Sequence, residues 1–511
     1  MTIQIPVRES GDYKYTVRQS DWNGGYNRLY FQNNSTPSEP RYWDGFNTSS
    51  VTEGEIQLAR LFEQVRSTTD TQAFFVEFNG FQYSLDSVTT PGMAKSSDGV
   101  TWTPVSMASG PTLAIRGGTV WRNQLVVAAN AATPFVLSAA EAWTTFTAPV
   151  GGTNVDMVGV GPDDKILAWV HGKGLYNSPD GTTWTKVWPA ASDPDEATCD
   201  LLDGSTGAVL IVTSDSKGSS MHEYFTPEGA ATTASVVTWM TEKDTFFYRV
   251  VQYAGAAYIG SKKGIGGGSA TTGNGPLWRK ERGQMPRIVQ TIGDGIRGVV
   301  ASQDFGIRAL VADGENLWVG APMRAPNFSG TVGIPGVYWY NVDNQGLENV
   351  SPEAAIDTAP GNVAGKVYSA AMINGEVIIS TPTGIWKRSK TNYAIQGYLD
   401  SSIYDLKAPD HIKTWRFTEL LMESATPTES CTLYYRVGTL TGSWLGGTVA
   451  TASGAKKIPF PDDAPTLAQY KLNSRQIQLH LVLSRGADAT LQPRVTSVAV
   501  DSAQIKTVGT N

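Results

Sequence analysis

A seven-residue turn sequence that occurs twice constrains the fold more than any other feature of this 511-residue chain. The stretch SSDGVTW at 96–102 returns as SPDGTTW at 178–184, so both copies read S-x-D-G-x-T-W. Their tryptophans lie 82 positions apart (184 minus 102), and Trp143 stands at the midpoint. A period near 41 is typical of solenoids, propellers and other repeat arrays.

Each residue type in this turn has a structural use. Asp-Gly between extended runs is a strong hairpin signal, because the tight turn needs a positive φ that glycine adopts without penalty. The Ser and Asp oxygens can accept hydrogen bonds from backbone N–H groups, and the tryptophan can wedge between neighbouring units. We therefore predict structural roles for Ser96, Asp98, Gly99, Thr101, Trp102, Ser178, Asp180, Gly181, Thr183 and Trp184.

The composition favours short strands and excludes some classes of partner. Charged residues make up only 17% of a chain that has 53 glycines and 15 tryptophans, as expected for strands joined by tight turns. The net charge of −7 argues against nucleic-acid binding, because that partner needs a basic protein surface. We expect no signal peptide, no membrane span, and unpaired thiols at Cys199 and Cys431 in a protein made in a reducing cytoplasm.

Residues 1–66 are polar and are predicted to form an extended arm used in assembly. Alternation at Tyr13, Tyr15 and Val17 predicts one strand. Because a lone strand is unstable, it should close the ring of repeats or pair with another molecule. The best helix candidate is 53–66, although a strand running into a short helix fits too; its apolar residues have the spacing of one helical face: Leu58, Leu61, Phe62 and Val65.

From 67 to 404 the chain reads as one repeat array. Short apolar runs predict inner strands at 74–76, 125–127, 166–168, 209–211, 258–259, 317–319 and 377–379. A tryptophan follows each run where the last hairpin is expected: Trp102, Trp143, Trp184, Trp239, Trp278, Trp339 and Trp386. Units of roughly 47 residues match the blades of a β-propeller with about seven blades, although six or eight also fit.

The repeated turn resembles a shortened Asp-box, the S-x-D-x-G-x-T-W hairpin motif of sialidase-type and other propellers. The resemblance covers two copies of seven residues and implies blade-end hairpins. A sialidase-like glycoside hydrolase would also need clustered arginines and paired acidic groups. The Arg-Ile-Pro signature of that family is missing, since Arg287-Ile288 is followed by Val289. We therefore expect no enzymatic activity.

Beyond residue 405 the apolar residues alternate with period two, as at Leu479, Leu481 and Leu483. This alternation indicates sheets with one face turned away from the core. It predicts an all-β chain in which the propeller is followed by a jelly-roll-like β-sandwich at 405–511. The run RQIQLHLVLSRGADATLQPRVTSVAVDS resembles the terminal strands of sandwich domains appended to the virion proteins of tailed bacteriophages.

Other candidate sites have simpler explanations, so we predict no cofactor, metal site or catalytic residue. Asp193, Asp195, Glu196 and Asp200 lack the glycine of a calcium loop, which favours a solvated acidic loop. The glycine-rich stretch 264–269 lacks the spacing of a nucleotide-binding turn. The histidines are too scattered to ligate one metal: His171, His222, His411 and His480. His480 lies on the polar side of its strand and is expected to be exposed.

The resemblance to virion proteins implies a structural component of a phage tail, at the tail tip, the nozzle or the fibre-attachment region. Such a protein would lie in the virion and contact copies of itself and other tail proteins during assembly and host attachment. The alternative is a carbohydrate- or receptor-binding protein, with Tyr434, Tyr435 and Trp444 as glycan contacts. Packing within the sheets explains these aromatic residues equally well.

Overall fold

The computed structural model describes most of the chain, in separate segments. They are residues 2–4, 8–9, 12–13, 15–19, 44–50, 54–67, 73–86, 92–189, 197–203, 208–215, 218–225, 235–264, 273–292, 306–321, 336–341, 346–349, 367–381, 384–404, 412–424, 426–437, 443–460 and 472–506. All regular elements in these segments are β-strands, which confirms the all-β class. They contain no helix long and apolar enough to cross a membrane.

The first eight strands belong to several sheets. They are β1 (Thr2–Gln4), β2 (Arg8–Glu9), β3 (Asp12–Tyr13), β4 (Tyr15–Gln19), β5 (Asp44–Phe46), β6 (Thr48–Ser49), β7 (Ile56–Leu58) and β8 (Arg60–Ser67). β2 and β3 pair with each other, β8 joins the propeller, and the others join the sandwich. The predicted helix at 53–66 is therefore wrong, because this stretch forms β7 and β8 in two different sheets.

Six blades follow, each built from four consecutive antiparallel strands. Blades 1 to 3 are β9 (Ala73–Phe78), β10 (Phe81–Asp86), β11 (Met93–Ser96), β12 (Thr103–Pro104); β13 (Ile115–Trp121), β14 (Gln124–Ala129), β15 (Phe135–Ser138), β16 (Trp143–Thr145); β17 (Val155–Val160), β18 (Ile166–Val170), β19 (Gly174–Ser178) and β20 (Thr185–Pro189). Blades 4 to 6 are β21 (Ala197–Asp203), β22 (Ala208–Ser214), β23 (Gly218–Phe225), β24 (Ser235–Lys243); β25 (Thr245–Tyr253), β26 (Ala256–Gly264), β27 (Gly273–Lys280), β28 (Arg287–Ile292); β29 (Ala309–Ala312), β30 (Leu317–Ala321), β31 (Gly336–Asn341) and β32 (Gly346–Asn349).

The seventh blade in the described part of the chain closes the ring with an N-terminal strand. Its first three strands are β33 (Ser369–Ile373), β34 (Glu376–Thr381) and β35 (Gly384–Tyr393). The fourth is β8, which runs antiparallel to β35, with Ser67 opposite Gly384 and Arg60 opposite Tyr393. The propeller therefore begins at β8, before the predicted boundary at residue 67.

The first strand of each blade lies innermost and packs against the first strands of both neighbouring blades. Of the seven predicted inner strands, only 74–76 lies on such a strand; the other six runs form second strands. Second strands are flanked by strands within the blade and covered by adjacent blades on both faces. They are therefore largely buried, and in Ile166–Val170 and Leu317–Ala321 every residue is both apolar and buried.

The remaining strands form a β-sandwich. They are β36 (Gln396–Asp400), β37 (Ile412–Glu423), β38 (Ser430–Val437), β39 (Leu445–Ala450), β40 (Gly454–Pro459), β41 (Leu472–Ser474), β42 (Ile477–Ser484) and β43 (Arg494–Lys506). A five-stranded sheet has the order β39-β38-β42-β36-β5, and an eight-stranded sheet is built around β1-β4-β43-β37-β40. Trp415, Leu433 and Leu481 contribute to the core between them.

The sandwich starts earlier in the chain than the alternation predicted. β36 lies before residue 405 and pairs with β42, and β5 to β7 come from the N-terminal region. The residues predicted to form one strand at 13–17 are divided between β3 and β4. β4 pairs with β43 of the sandwich, so it does not close the propeller ring.

Propeller and sandwich share one hydrophobic cluster, which includes Tyr340 and Leu347 of blade 6 and Leu58 of β7. At this seam the buried carboxylate of Glu348 accepts hydrogen bonds from the Ser50 backbone N–H (2.8 Å), the Ser50 hydroxyl and Trp339 Nε1 (2.5 Å). Burial raises the pKa of Glu348 to about 7. The seam therefore contains a carboxyl group that titrates near neutrality.

We predict that Glu348 makes stability fall as the pH rises through neutrality. A carboxyl group whose pKa is raised on folding stabilises the protein fully below its unfolded value, 4.5, and this contribution is lost as the pH rises through about 7. Urea unfolding of the wild type should show this loss between roughly pH 5 and 8. Glu348→Gln, which cannot titrate, should give a flatter profile; parallel profiles would contradict the prediction.

Candidate functional site

The first repeated turn is held by its own side chains. Asp98 Oδ1 accepts hydrogen bonds from the N–H groups of Val100 and Thr101, each at 2.8 Å, and from the Ser96 hydroxyl at 2.9 Å. The Gly99 N–H donates to Ser96 Oγ at 2.8 Å. These bonds to backbone N–H groups hold the pKa of Asp98 well below its ordinary value.

The second copy is built in the same way. Asp180 Oδ1 accepts from the N–H groups of Thr182 (2.8 Å) and Thr183 (2.7 Å), and the Gly181 N–H donates to Ser178 Oγ at 2.8 Å. The same contacts lower the pKa of Asp180. In both turns the carboxylate is occupied by the backbone that surrounds it.

Both turns also press against the preceding blade. A Cβ atom on Gly99 (φ +73°) would lie 2.5 Å from Ile373 Cγ2 of blade 7, and one on Gly181 (φ +75°) would lie 2.4 Å from Phe146. Arg122 of blade 2 donates to the Pro179 carbonyl at 2.8 Å. The turns therefore help to connect neighbouring blades as well as ending hairpins.

The motif tryptophans lie at the same seams. Trp102 packs against the blade 7 cluster that contains Ile378 and Ile385. Trp184 packs between blades 2 and 3, and its Nε1 donates to the Thr147 carbonyl at 3.0 Å. Trp143 Nε1 makes the equivalent bond to the Ser106 carbonyl at 2.9 Å.

The tryptophans of the later blades are not equivalent to these three. Trp239 lies on β24, the fourth strand of blade 4. Trp278, Trp339 and Trp386 lie on the third strands β27, β31 and β35. The four residues therefore do not share one position in the last hairpin, and the even spacing reflects a structural equivalence only in the first blades.

An arginine and a phenylalanine from distant blades meet across the propeller axis. The Arg249 guanidinium of blade 5 lies 4.3 Å from the ring centroid of Phe74 in blade 1, across the channel. Asp200 lies 3.7 Å from Arg249 and accepts from the Val250 N–H at 2.7 Å. Burial raises the pKa of Asp200, opposed by Arg249. Asp200 is thus part of an inner strand and not of a solvated loop; Asp193, Asp195 and Glu196 lie outside the described residues.

The histidines at 171 and 222 are hydrogen-bonded within the fold, and the thiol of Cys431 is buried. The Asp156 carboxylate lies 3.0 Å from His171 Nδ1, and burial raises the pKa of Asp156. Burial lowers the pKa of His222 to about 3, and its ring nitrogens bond to threonine hydroxyls. Burial raises the pKa of the unpaired Cys431 thiol to about 12.

The other features named from the sequence lie on strands of blade 5 or outside the described residues. The 287–289 run forms part of β28, the outermost strand of blade 5. Gly264 ends β26, whereas the rest of 264–269, the side chain of Cys199 and all of His411 lie outside the described residues. Within the described segments no three His, Cys, Asp or Glu side chains come close enough to hold a metal ion.

The three predicted glycan contacts separate in the structure. Tyr435 is 5% exposed and points into the sandwich core, where its ring centroid lies 5.0 Å from that of Phe460. It cannot contact a glycan there. Tyr434 and Trp444 are half-buried on the opposite, outer face of the five-stranded sheet.

His480 lies between these two aromatic residues. The prediction that it is exposed is wrong. The His480 side chain is 14% exposed, and its Nδ1 bonds to the buried Asp400 carboxylate. Its ring stacks on Trp444 at 4.8 Å and lies 5.7 Å from Tyr434. The alternation in β42 placed His480 on the correct face but gave no sign of the aromatic cover.

A β-bulge positions Trp444. The pairing of β38 with β39 shifts register between Leu433 and Tyr434, opposite Gly446 and Gly447. Both glycines have positive φ, +92° and +112°, and a Cβ on either would lie 3.1 Å from a tyrosine ring. The bulge turns the chain so that Trp444 reaches across β38 to β42.

A further cavity of about 380 Å³ lies where blade 7 meets the sandwich. Its lining includes Tyr393, Glu423, Gln492 and Arg494. Gln492 Oε1 is buried without a hydrogen-bond partner in the described structure. The charged side chains of its lining, Glu423 and Arg494, are exposed.

Comparison with known proteins finds similar solved structures but no matching family. No protein-family model matches the chain, and no curated protein matches it. Similar solved structures include virginiamycin B lyase from Staphylococcus aureus (8% identity, TM-score 0.45, 64% of this chain and 97% of that chain). YCF48 from Cyanidioschyzon merolae has 9% identity and a TM-score of 0.44, over 64% of this chain and 98% of that one.

A third match is larger than this chain. The extracellular domain of a one component system from B. thetaiotaomicron has 11% identity and a TM-score of 0.45. The match covers 70% of this chain but only 43% of that chain. At these identities and TM-scores no property of the three proteins is transferred to this chain.

We predict that Asp98→Ala lowers the free energy of unfolding by about 1 to 2 kcal/mol at pH 7, through loss of side-chain-to-backbone hydrogen bonds. Because folding lowers this pKa, the contribution is complete above the ordinary carboxyl value of 3.8 and is lost as the pH falls below it. Urea unfolding at pH 7 and pH 3 measures both effects. Val100→Ala, at a side chain 51% exposed in the same turn, is the control. Loss of a binding activity with unchanged stability would contradict this role.

Alanine substitutions at two glycines of blade 1 distinguish the cost of backbone strain from the cost of a clash with blade 7. Gly80 and Gly99 have similar positive φ values, +75° and +73°, but only at Gly99 would an added methyl group meet neighbours within 4 Å, namely Ile373 and Lys387. Alanine should cost about 1 kcal/mol at Gly80 and roughly 1 to 3 kcal/mol more at Gly99. Equal losses in thermal unfolding would show that the turn does not press on blade 7.

Proposed function

We propose that this chain is a structural, non-enzymatic component of a bacteriophage tail, acting in virion assembly at the tail tip, nozzle or fibre-attachment region. The observation that carries the proposal is the continuity of the N-terminal segment through both domains. β5 to β7 pair within the sandwich, and β8 completes blade 7 only two positions after β7 ends at Leu58. Because this segment pairs with strands of both domains, it would keep the two domains joined within an assembly.

The edges of the eight-stranded sheet suggest how copies would associate. β1 lies at one edge and pairs only with β4 among the described strands. β40, at the opposite edge, contains Lys456, Lys457 and Pro459. Lysine and proline discourage strand addition, whereas an edge without them is open to it. We therefore infer that neighbouring copies or other tail proteins pair at the β1 edge.

A non-enzymatic role fits the engagement of the buried acids. Asp156 is paired with His171, and Asp200 with Arg249. The net charge of −7 favours protein partners over nucleic acid. The proposed location is the virion tail, after synthesis in the bacterial cytoplasm. The alternative, a carbohydrate- or receptor-binding protein, is favoured by Tyr434 and Trp444 on the sandwich face.

The proposal predicts that the chain occurs in purified phage particles as a symmetric ring. Mass spectrometry and cryo-electron microscopy of virions test this directly. Deleting residues 2–19, which include β1 to β4, should abolish incorporation while leaving thermal unfolding of the propeller cooperative. Lys456→Glu with Lys457→Glu, at the opposite edge, should incorporate normally. Absence of the chain from particles, or normal incorporation of the deletion variant, would refute the proposal.

A further inference from the structure

We infer that the outer face of the five-stranded sheet carries a binding site for a neutral pyranose sugar, formed by Trp444, Tyr434 and His480. We call these three residues the aromatic site. The inference concerns a ligand and holds whether or not the chain is a tail component.

Two side chains from the outer face of the sheet contact the Trp444 ring. The Arg436 guanidinium lies 4.2 Å from its ring centroid, and the His480 ring stacks on it at an interplanar angle of 27°. Arg436 and His480 both project from the outer face of the sheet, so they hold the indole flat across β38 and β42. A partly buried aromatic ring held in this way is suited to packing against the C–H face of a sugar ring.

The aromatic site also has hydrogen-bonding atoms that its own residues leave unused. His480 Nδ1 is engaged with the Asp400 carboxylate, which leaves Nε2 as the ring nitrogen available to a ligand. Tyr434 Oη, Trp444 Nε1 and His480 Nε2 have no hydrogen-bond partner among the described residues. Three unused polar atoms beside an aromatic ring match the hydroxyl groups of a sugar, which both donate and accept hydrogen bonds.

Burial decreases toward the aromatic site along the outer face. Tyr398 is 1% exposed and Val482 is 8% exposed, whereas Val449 on the edge strand β39 is 52% exposed. The aromatic site lies at the open side of this gradient. A sugar can approach from that side without displacing the buried residues.

The charged residues around the aromatic site are already engaged. The Arg436 guanidinium donates to Gln478 Oε1 at 2.6 and 2.8 Å, and Asp400 is bonded to His480. Moving either group to a charged ligand would break a buried contact, which is costly. The aromatic site therefore favours a neutral sugar over a sialylated or phosphorylated one.

Titration calorimetry of the full-length protein with the methyl glycosides of glucose, galactose, mannose and N-acetylglucosamine tests the inference. At least one should bind with a dissociation constant on the order of 1 mM, as expected for a single small ligand on an open face. Trp444→Ala should weaken binding by about tenfold or more, and Tyr434→Phe, which removes only a hydroxyl group, by roughly threefold. Leu445→Ala, at an exposed residue beside Trp444, should bind like the wild type.

Thermal unfolding of each variant establishes that it is folded, and Tyr434→Phe remains informative if Trp444→Ala is not. The inference is overturned if none of the four glycosides binds at roughly 20 mM, well above the expected constant. It is also overturned if Trp444→Ala and Tyr434→Phe both bind as tightly as the wild type. Failure here leaves virion incorporation unaffected, so the two proposals are tested separately.

Discussion

The pairing of β8 with β35 is the contact on which the rest of the structure depends. It joins the N-terminal region to blade 7 and brings blade 7 against blade 1. Only in a closed ring does the Gly99 turn meet Ile373, and only there is Trp102 packed against the blade 7 cluster. Ring closure thereby fixes the environment of the first repeated turn, which lies far from β8 in sequence.

The segment that closes the ring also explains the main error of sequence reasoning. Ile56 and Leu58 face the sandwich core, whereas Phe62 packs with Trp318 between blades 6 and 7. Ala59 separates the two strands, and its N–H donates to the Asn47 carbonyl. Two short strands in different sheets thus combine into an apolar spacing that resembles one helical face. Tertiary pairing overrides that local signal.

The parts of the fold that sequence predicted well depend on local chemistry. The serine, aspartate and glycine of the two turns act within a few residues of one another, so their contacts follow from the motif itself. The local sequence could not show that six of the predicted inner strands are second strands, because adjacent blades bury the second strands only once the ring has formed. Adjacent Tyr434 and Tyr435 must face opposite ways in a strand, but Trp444 depends on a bulge that only the Gly446-Gly447 pair signals.

The interior of the propeller and the surface of the sandwich differ in how many polar side chains are free to bind a ligand. Inner strands in blades 2 to 5 shift register at corresponding places, which can turn polar residues toward the axis. There, Arg249 is held by both Asp200 and Phe74, so binding a ligand would require breaking contacts across the channel. At the aromatic site the contacts of Arg436 and His480 with Trp444 leave Tyr434 Oη and His480 Nε2 unused among the described residues. On the proposals made above, the propeller maintains the scaffold, while strand edges and the sandwich face supply the contacts with partners.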